Sequence, residues 1–325
     1  MYKFILLLSL SFTTLLAQTS NRQAVPIILD TDIGPDYDDV GAMAVLHALA
    51  DRGEANPLAV ISSNKNELVV PTIDVINTFF GRPELATGAP KGKGADNGAF
   101  QKWPEMLVEK YPHNIKSTSD APNAVETYRK ILAKQPDNSV TIVTIGFLTN
   151  LSDLLDSQPD KISLLSGADL IKKKVKQLVS MAGAFPQGRE YNVYVDSLAS
   201  EKVFAKWPTQ VIFSGFEIGN QIKTGLRVVA NERLKSPVKD VYALSMPLSK
   251  QDSVGRMSWD QTAVLVAVRG IQPYYGLKRG KIIVEGGNNK WQDDPMGQQA
   301  YLTELMPASQ ITALIEGLMM WEGKR

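Results

Sequence analysis

The 325 residues carry 35 basic and 34 acidic side chains, a formal charge of +1, and 44% hydrophobic residues. That balance fits an ordinary globular chain with a sizeable core, and it argues against nucleic acid as the main partner, since no basic run is interleaved with aromatics. Cysteine is absent and only His47 and His113 are present, which excludes thiolate chemistry and zinc–sulfur sites and nearly excludes a multi-histidine zinc site. A bound metal would have to be held by oxygen.

Along the chain, Lys3 is followed by an apolar run from Phe4 to Leu16, then Ala17-Gln18 and a polar stretch. This reads as a signal peptide over residues 1–17, with secretion or a periplasmic location implied and one domain over 18–325. The run is too short for a membrane span. Buried strands are expected at Val25–Leu29, Leu58–Ile61, Val140–Ile145, Leu178–Met181, Val211–Phe213 and Ile282–Val284. Helical patterns fall between them, at Asp39–Ala50, Glu67–Phe80, Ala124–Lys134, Leu151–Leu155, Ser197–Lys206, Gln261–Val268 and Ser309–Met320. The alternation predicts an α/β fold, an open and mainly parallel (mixed) sheet with helices on both faces. Thr87–Ser119 and Leu244–Ser258 break the rhythm and read as irregular loops, of the kind that carry function. Ligands of open α/β sheets bind beyond the carboxyl ends of the strands, so the residues following each strand matter most.

The first strand ends in Asp30-Thr31-Asp32-Ile33-Gly34-Pro35-Asp36-Tyr37-Asp38-Asp39, five carboxylates in ten residues. A helix N-terminus favours acidic side chains by about 0.3–1 kcal/mol each, which accounts for one or two of them. A hard divalent cation accounts for the rest better than a solvated turn does. An EF-hand does not fit: counted from Asp30, the sixth residue is Pro35 and the twelfth Gly41, where a glycine and a bidentate Glu belong. A phosphatase of the haloacid-dehalogenase type could be fitted, with Asp30 as nucleophile, Ser214 and Asp293-Asp294, but it leaves Asp38 and Asp39 unexplained. A non-catalytic secreted binding protein with the same pocket is the other alternative.

Asp30–Asp39 resembles the signature of the inosine–uridine-preferring nucleoside hydrolases, in a variant with two extra residues before the paired Asp. Gly146-Phe147-Leu148-Thr149-Asn150, Gly188–Val193 and Trp259-Asp260 resemble further family segments in the same order. The resemblance implies Ca²⁺-dependent hydrolysis of ribonucleosides to free base and ribose. It implies Asp32, Asp39, Asp260 and the Thr149 carbonyl as calcium ligands, with Asp32 also the general base. Asp38, Asn64, Glu190 and Asn192 are implied to hold the ribose. Trp259 stands where some members have a histidine that helps the base leave, and stacking of its ring implies a leaning toward purines. The loop between Gly183 and Glu190 is shorter than usual, and a further ribose-contacting Asn has no counterpart there. His47 reads as packed, and His113 would reach a bound base only on closure of its loop. The partner implied is a small-molecule nucleoside; a homo-oligomer is compatible with the sequence.

Overall fold

The computed structural model describes residues 23–323; the expected leader, residues 1–17, lies outside them. Twelve strands occur among the described residues: β1 (Val25–Thr31), β2 (Ala55–Ser62), β3 (Ala86–Gly88), β4 (Val140–Thr144), β5 (Val175–Met181), β6 (Gln187–Gly188), β7 (Gln210–Ser214), β8 (Lys223–Thr224), β9 (Arg256–Met257), β10 (Tyr275–Glu285), β11 (Asn288–Asp293) and β12 (Gln299–Glu304). Ten form one sheet in the order β3-β2-β1-β4-β5-β7-β12-β10-β11-β6, while β8 and β9 form a separate ribbon. Pairing is parallel from β3 to β12 and antiparallel beyond it.

The central strands are apolar on both faces because helices cover both. Ile27 and Leu29 enter one core cluster and Ile28 the other. At the sheet's antiparallel end the burial of β10 alternates instead, as expected of a strand wet on one face. Its continuation into β11 and β12, built from Asn288–Asp293 and Gln299–Glu304, is polar enough that no strand is expected there from sequence.

The helix Asp38–Asp51 is buried from Asp38 to Leu49, which explains its lack of a polar face. It packs against the helices Trp259–Arg269 and Ala308–Met319. Gly41 permits that approach, since a Cβ there would lie 2.4 Å from Gln261 Nε2. Three expectations need correction. Thr87–Ser119 contains the helix Trp103–Lys110, started by Pro104 in its first turn. Leu244–Ser258 contains the end of the helix Pro237–Ser245, two 3₁₀ turns and β9. Trp259-Asp260 also forms the first turn of its helix rather than preceding it.

From β1 the chain moves outward to β2 and β3, then returns to β4 on the other side of β1. The strand order reverses between β1 and β4, which opens a crevice beyond their carboxyl ends. Pairing of Asp30 with Ile61 and Thr144, and of Thr144 with Ser180, lines those ends up in one row.

Candidate active site

A cleft of about 500 Å³ lies at that reversal, the size range of small-molecule sites. Asp32, Asp36, Asp38 and Asp39 line it from the acidic loop, Glu190 and Asn192 from the segment after β5, and Trp259 and Asp260 from the helix after β9. Residues more than two hundred positions apart thus meet over one strand end.

Asp36, Asp38, Asp39 and Asp260 each offer a carboxylate oxygen within 4.8 Å of the other three. Asp39 and Asp260, both expected as ligands, belong to this group. Asp32 lines the same cleft but stands outside the group of four, whereas Asp36 and Asp38 belong to it. Thr149 begins the helix Thr149–Asp156, and its hydroxyl donates to Asp196 at 2.5 Å. Asp36 and Asp38 are thus the carboxylates gathered most closely with Asp39 and Asp260.

Burial pushes the carboxyls of Asp32, Asp38 and Asp260 well above the usual range, with repulsion among the cluster adding to it. Asp39 is pushed up to about 7 by burial and by Asp36, against a hydrogen bond from the Thr31 hydroxyl. A set of oxygen donors under such mutual repulsion suits a hard divalent cation. The residues present fit one.

Some of the charge is met within the chain. Arg256, buried, places Nη2 2.5 Å from Asp36 Oδ2 and 3.0 Å from Asp38 Oδ1. Asp38 Oδ2 accepts from the backbone N–H of Trp259 at 3.1 Å and of Asp260 at 3.4 Å, so this carboxylate closes the helix N-terminus as well as facing the cleft. Burial opposes the charge on Arg256, but Asp36 and Asp38 outweigh it and strengthen its hold on the proton. Sequence reasoning missed this residue. An arginine in a polar segment carries no local sign that its partners lie in the first loop.

Glu190 is the N-cap of the helix Tyr191–Val195: its carboxylate accepts from the backbone N–H of Asn192, Val193 and Gly183. Burial pushes it up to about 7 while those amides pull it down. Asn192 Nδ2 donates to the carbonyls of Met181 at 3.1 Å and Ile145 at 3.3 Å, tying it to two strand ends. Both side chains are buried and both line the cleft. The Trp259 indole N–H donates to the Phe216 carbonyl at 2.9 Å, and the two rings stand 5.4 Å apart. Tyr191, Tyr194 and Phe216 complete an aromatic wall.

Asn64 departs from its expected role as a ribose contact. Nδ2 donates to the carbonyls of Asp32 (3.0 Å) and Asn97 (2.7 Å), and Oδ1 accepts from the N–H of Asn66 and Asn97. Two donors and two acceptors are all spent on backbone, which leaves nothing for a sugar. Asn64 instead fixes Asp32 and the loop carrying Asn97. Gly146 presses on the same place: a Cβ there would lie 2.5 Å from Asp32 N.

His47 is a buried residue of the helix Asp38–Asp51, 3.0 Å from Asn77 Oδ1. Burial and the neighbouring Arg82 lower it to about 3, so it packs as neutral imidazole. His113 faces the Tyr111 carbonyl at 3.1 Å in the segment after Trp103–Lys110. Asp30, the nucleophile of the phosphatase alternative, is fully buried and accepts from Tyr128 and Asn150 at 2.7 and 3.0 Å. Asp293 pairs with Lys278 on the sheet's antiparallel end, so the parts of that alternative are not assembled.

The model of the family described as inosine-uridine preferring nucleoside hydrolase matches residues 27–300. The chain belongs to this family. As a nucleoside hydrolase it is 28% identical over 242 residues to the pyrimidine-specific ribonucleoside hydrolase RihA of Citrobacter koseri, covering 68% of this chain and 69% of the relative. The Escherichia coli O1:K1 protein of the same name is 29% identical over 243 residues, covering 68% and 70%. Among solved structures, the purine-preferring ribonucleoside hydrolase from Gardnerella vaginalis superposes with a TM-score of 0.69 at 18% identity, covering 91% of this chain and 99% of that one. The mixed, mainly parallel sheet with helices on both faces is therefore the nucleoside hydrolase fold. Membership makes the protein an N-glycosidase acting on ribonucleosides, with an acidic cluster able to hold a divalent metal.

Proposed function

We propose that this nucleoside hydrolase is Ca²⁺-dependent, prefers purine ribonucleosides, and uses Asp32 as general base. One observation carries the reading: an all-oxygen cluster, three of its four carboxylates buried, lines a single cleft together with Asp32 and the Glu190–Asn192 pair. Asp32, Asp39, Asp260 and the Thr149 carbonyl would hold the ion, with Asp36 and Asp38 close beside Asp39 and Asp260. An ion there would supply Lewis acidity that orients a water and eases its deprotonation. Asp32 accepts the proton from that water as its oxygen bonds to C1′ of the ribose. The C1′–N bond breaks with its electron pair passing to the base, which takes up a proton on leaving. The surrounding carboxylates favour the positive charge that develops on the sugar. Asp38, Glu190 and Asn192 hold the ribose hydroxyls, and 2′-deoxynucleosides should be poor substrates because those polar groups would be left unmatched.

For the base, the Trp259–Phe216 pair offers a broad apolar surface that suits a purine. The relatives named pyrimidine-specific favour the second reading, uridine or cytidine as substrate. Ribose release from inosine and from uridine, each with and without a calcium chelator, tests all three parts. Faster turnover of inosine, abolished by chelation and restored by Ca²⁺, is expected. A clear uridine preference overturns the purine reading, and chelator-insensitive turnover overturns the metal. The apolar leader supports action outside the cytoplasm, which fractionation of the producing cells would test.

A further inference from the structure

The groups proposed to hold the ribose are rich in acceptors and poor in donors. Asp38 and Glu190 present carboxylate oxygens to the cleft, as does Asp32 beside them. Asn192 spends its Nδ2 on the carbonyls of Ile145 and Met181, which leaves its oxygen for a ligand. A sugar hydroxyl both gives and takes hydrogen bonds, so a ribose in such company has oxygens that still want a donor. The two cleft arginines are engaged elsewhere. Arg256 is turned to Asp36, Asp38 and Asp252, while Arg189 lies over the Tyr194 ring and donates to the Gly286 carbonyl.

Tyr191 supplies a donor held in position. It stands between Glu190 and Asn192 in the chain and lines the cleft with them. Its ring rests 5.9 Å from that of the buried Phe147 and meets Tyr194 edge-on at 5.4 Å. Its hydroxyl accepts from Asn97 Nδ2 at 3.0 Å, and the Asn97 backbone is gripped by Asn64, which also donates to the Asp32 carbonyl. With a lone pair given to Asn97, the hydroxyl has its proton left to donate. Burial and the nearby Asp32 push the group up to about 12, so it keeps that proton at neutral pH. We infer that Tyr191 is a substrate-binding residue whose hydroxyl donates to the 5′-hydroxyl oxygen of the ribose, so that the enzyme selects sugars carrying that group. The 2′- and 3′-hydroxyls are set on the ring itself, close to C1′ and the carboxylates. The 5′-hydroxyl is carried on an arm outside the ring and can reach the mouth, where Tyr191 and Asn97 meet. The inference rests on the reading of Glu190 and Asn192 as ribose contacts.

Release of reducing sugar from inosine and from uridine, each beside its 5′-deoxy analogue, tests this on the wild type and Tyr191→Phe. The wild type should lose about two- to tenfold in kcat/KM on going to the 5′-deoxy sugar, the range of one neutral hydrogen bond. Tyr191→Phe keeps the ring and its contacts with Phe147 and Tyr194, and should lose a similar factor on the full nucleosides. On the 5′-deoxy analogues the two proteins should differ by less than about twofold, because the partner of the hydroxyl is already gone. A merely structural role for Tyr191 would lower activity on both kinds of sugar alike, and that result overturns the inference. So does a variant equal to the wild type on inosine and uridine. Should Tyr191→Phe fail to fold, the wild type decides: equal kcat/KM with and without the 5′-hydroxyl overturns the inference, and the expected loss supports it. A wild type that releases no sugar from either nucleoside overturns the reading of the cleft itself, and this inference with it.

Discussion

Two segments meet over the cleft, and they are held in different ways. The acidic loop Asp30–Asp39 is continuous with a central parallel strand, and backbone-directed contacts fix it: Ile33 N–H to Thr31 Oγ1 at 3.1 Å, Asn64 to the Asp32 carbonyl, and Gly146 in van der Waals contact below. Leu244–Ser258 instead reaches the cleft through side chains. Arg256 grips Asp36 and Asp38, and Asp252 accepts from the Tyr37 hydroxyl at 2.6 Å. The first segment places most of the carboxylates and the second adjusts their charge. Damage to the first should remove chemistry, and damage to the second should loosen the site while leaving its groups intact.

The largest effect should come from Asp32→Asn, which keeps shape and removes the proposed base. Turnover of the preferred nucleoside should fall by about 10²–10⁴-fold, with calcium affinity measured alongside to separate the base from the ion. Activity within tenfold of the wild type would sink the assignment of Asp32. Gly146→Ala comes next. The added methyl would meet the Asp32 backbone N at 2.5 Å and the Ser63 hydroxyl at 2.6 Å, and such overpacking costs about 1–3 kcal/mol. A fall in both melting temperature and turnover is expected; unchanged values of each would show that the loop yields where it is drawn as rigid.

The contrast also explains what the sequence made legible. Five carboxylates in ten residues announce themselves locally, and the parallel half of the sheet follows from apolar runs such as Val25–Leu29 and Val140–Ile145. The position of Asn64 is equally plain, just beyond β2, but its chemistry is not: whether an amide faces ligand or backbone depends on Asn97, thirty-three residues away. Arg256 is the extreme case, 218 residues from Asp38, on a segment whose polar composition gives no periodicity. The strands β11 and β12 escape for a related reason. At the sheet's wet end their side chains need not be apolar, so the cue that marks buried strands is missing.

Tyr37→Phe probes the second segment. Tyr37 is fully buried, and its edge-on contact with Tyr242 survives the change, but Asp252 loses its hydrogen bond while its other oxygen already lacks one. A buried carboxylate stripped of its donor costs about 1–3 kcal/mol. Denaturant unfolding should show that loss, and limited proteolysis should cut faster within residues 246–255, while turnover falls less than in Gly146→Ala. A variant as stable and as protease-resistant as the wild type would mean that Arg256 alone anchors the segment.

The smallest effect belongs to a contact that spans the mouth of the cleft. Asn97 Nδ2 donates to the Tyr191 hydroxyl at 3.0 Å, joining the loop after β3 to the helix that Glu190 caps. The bond is solvent-exposed, so its net worth is about 0.5–1.5 kcal/mol at most. Asn97→Ala leaves the backbone bonds to Asn64 in place, so the Asp32 carbonyl keeps its donor. The expected outcome is a KM raised by about two- to tenfold, the range that free energy spans, with kcat little changed. Asn64→Ala removes the inner half of the same chain and should depress kcat, because it releases the main chain of the base itself. Equal kinetic patterns in the two variants would erase the distinction between a rim contact and a strut beneath Asp32.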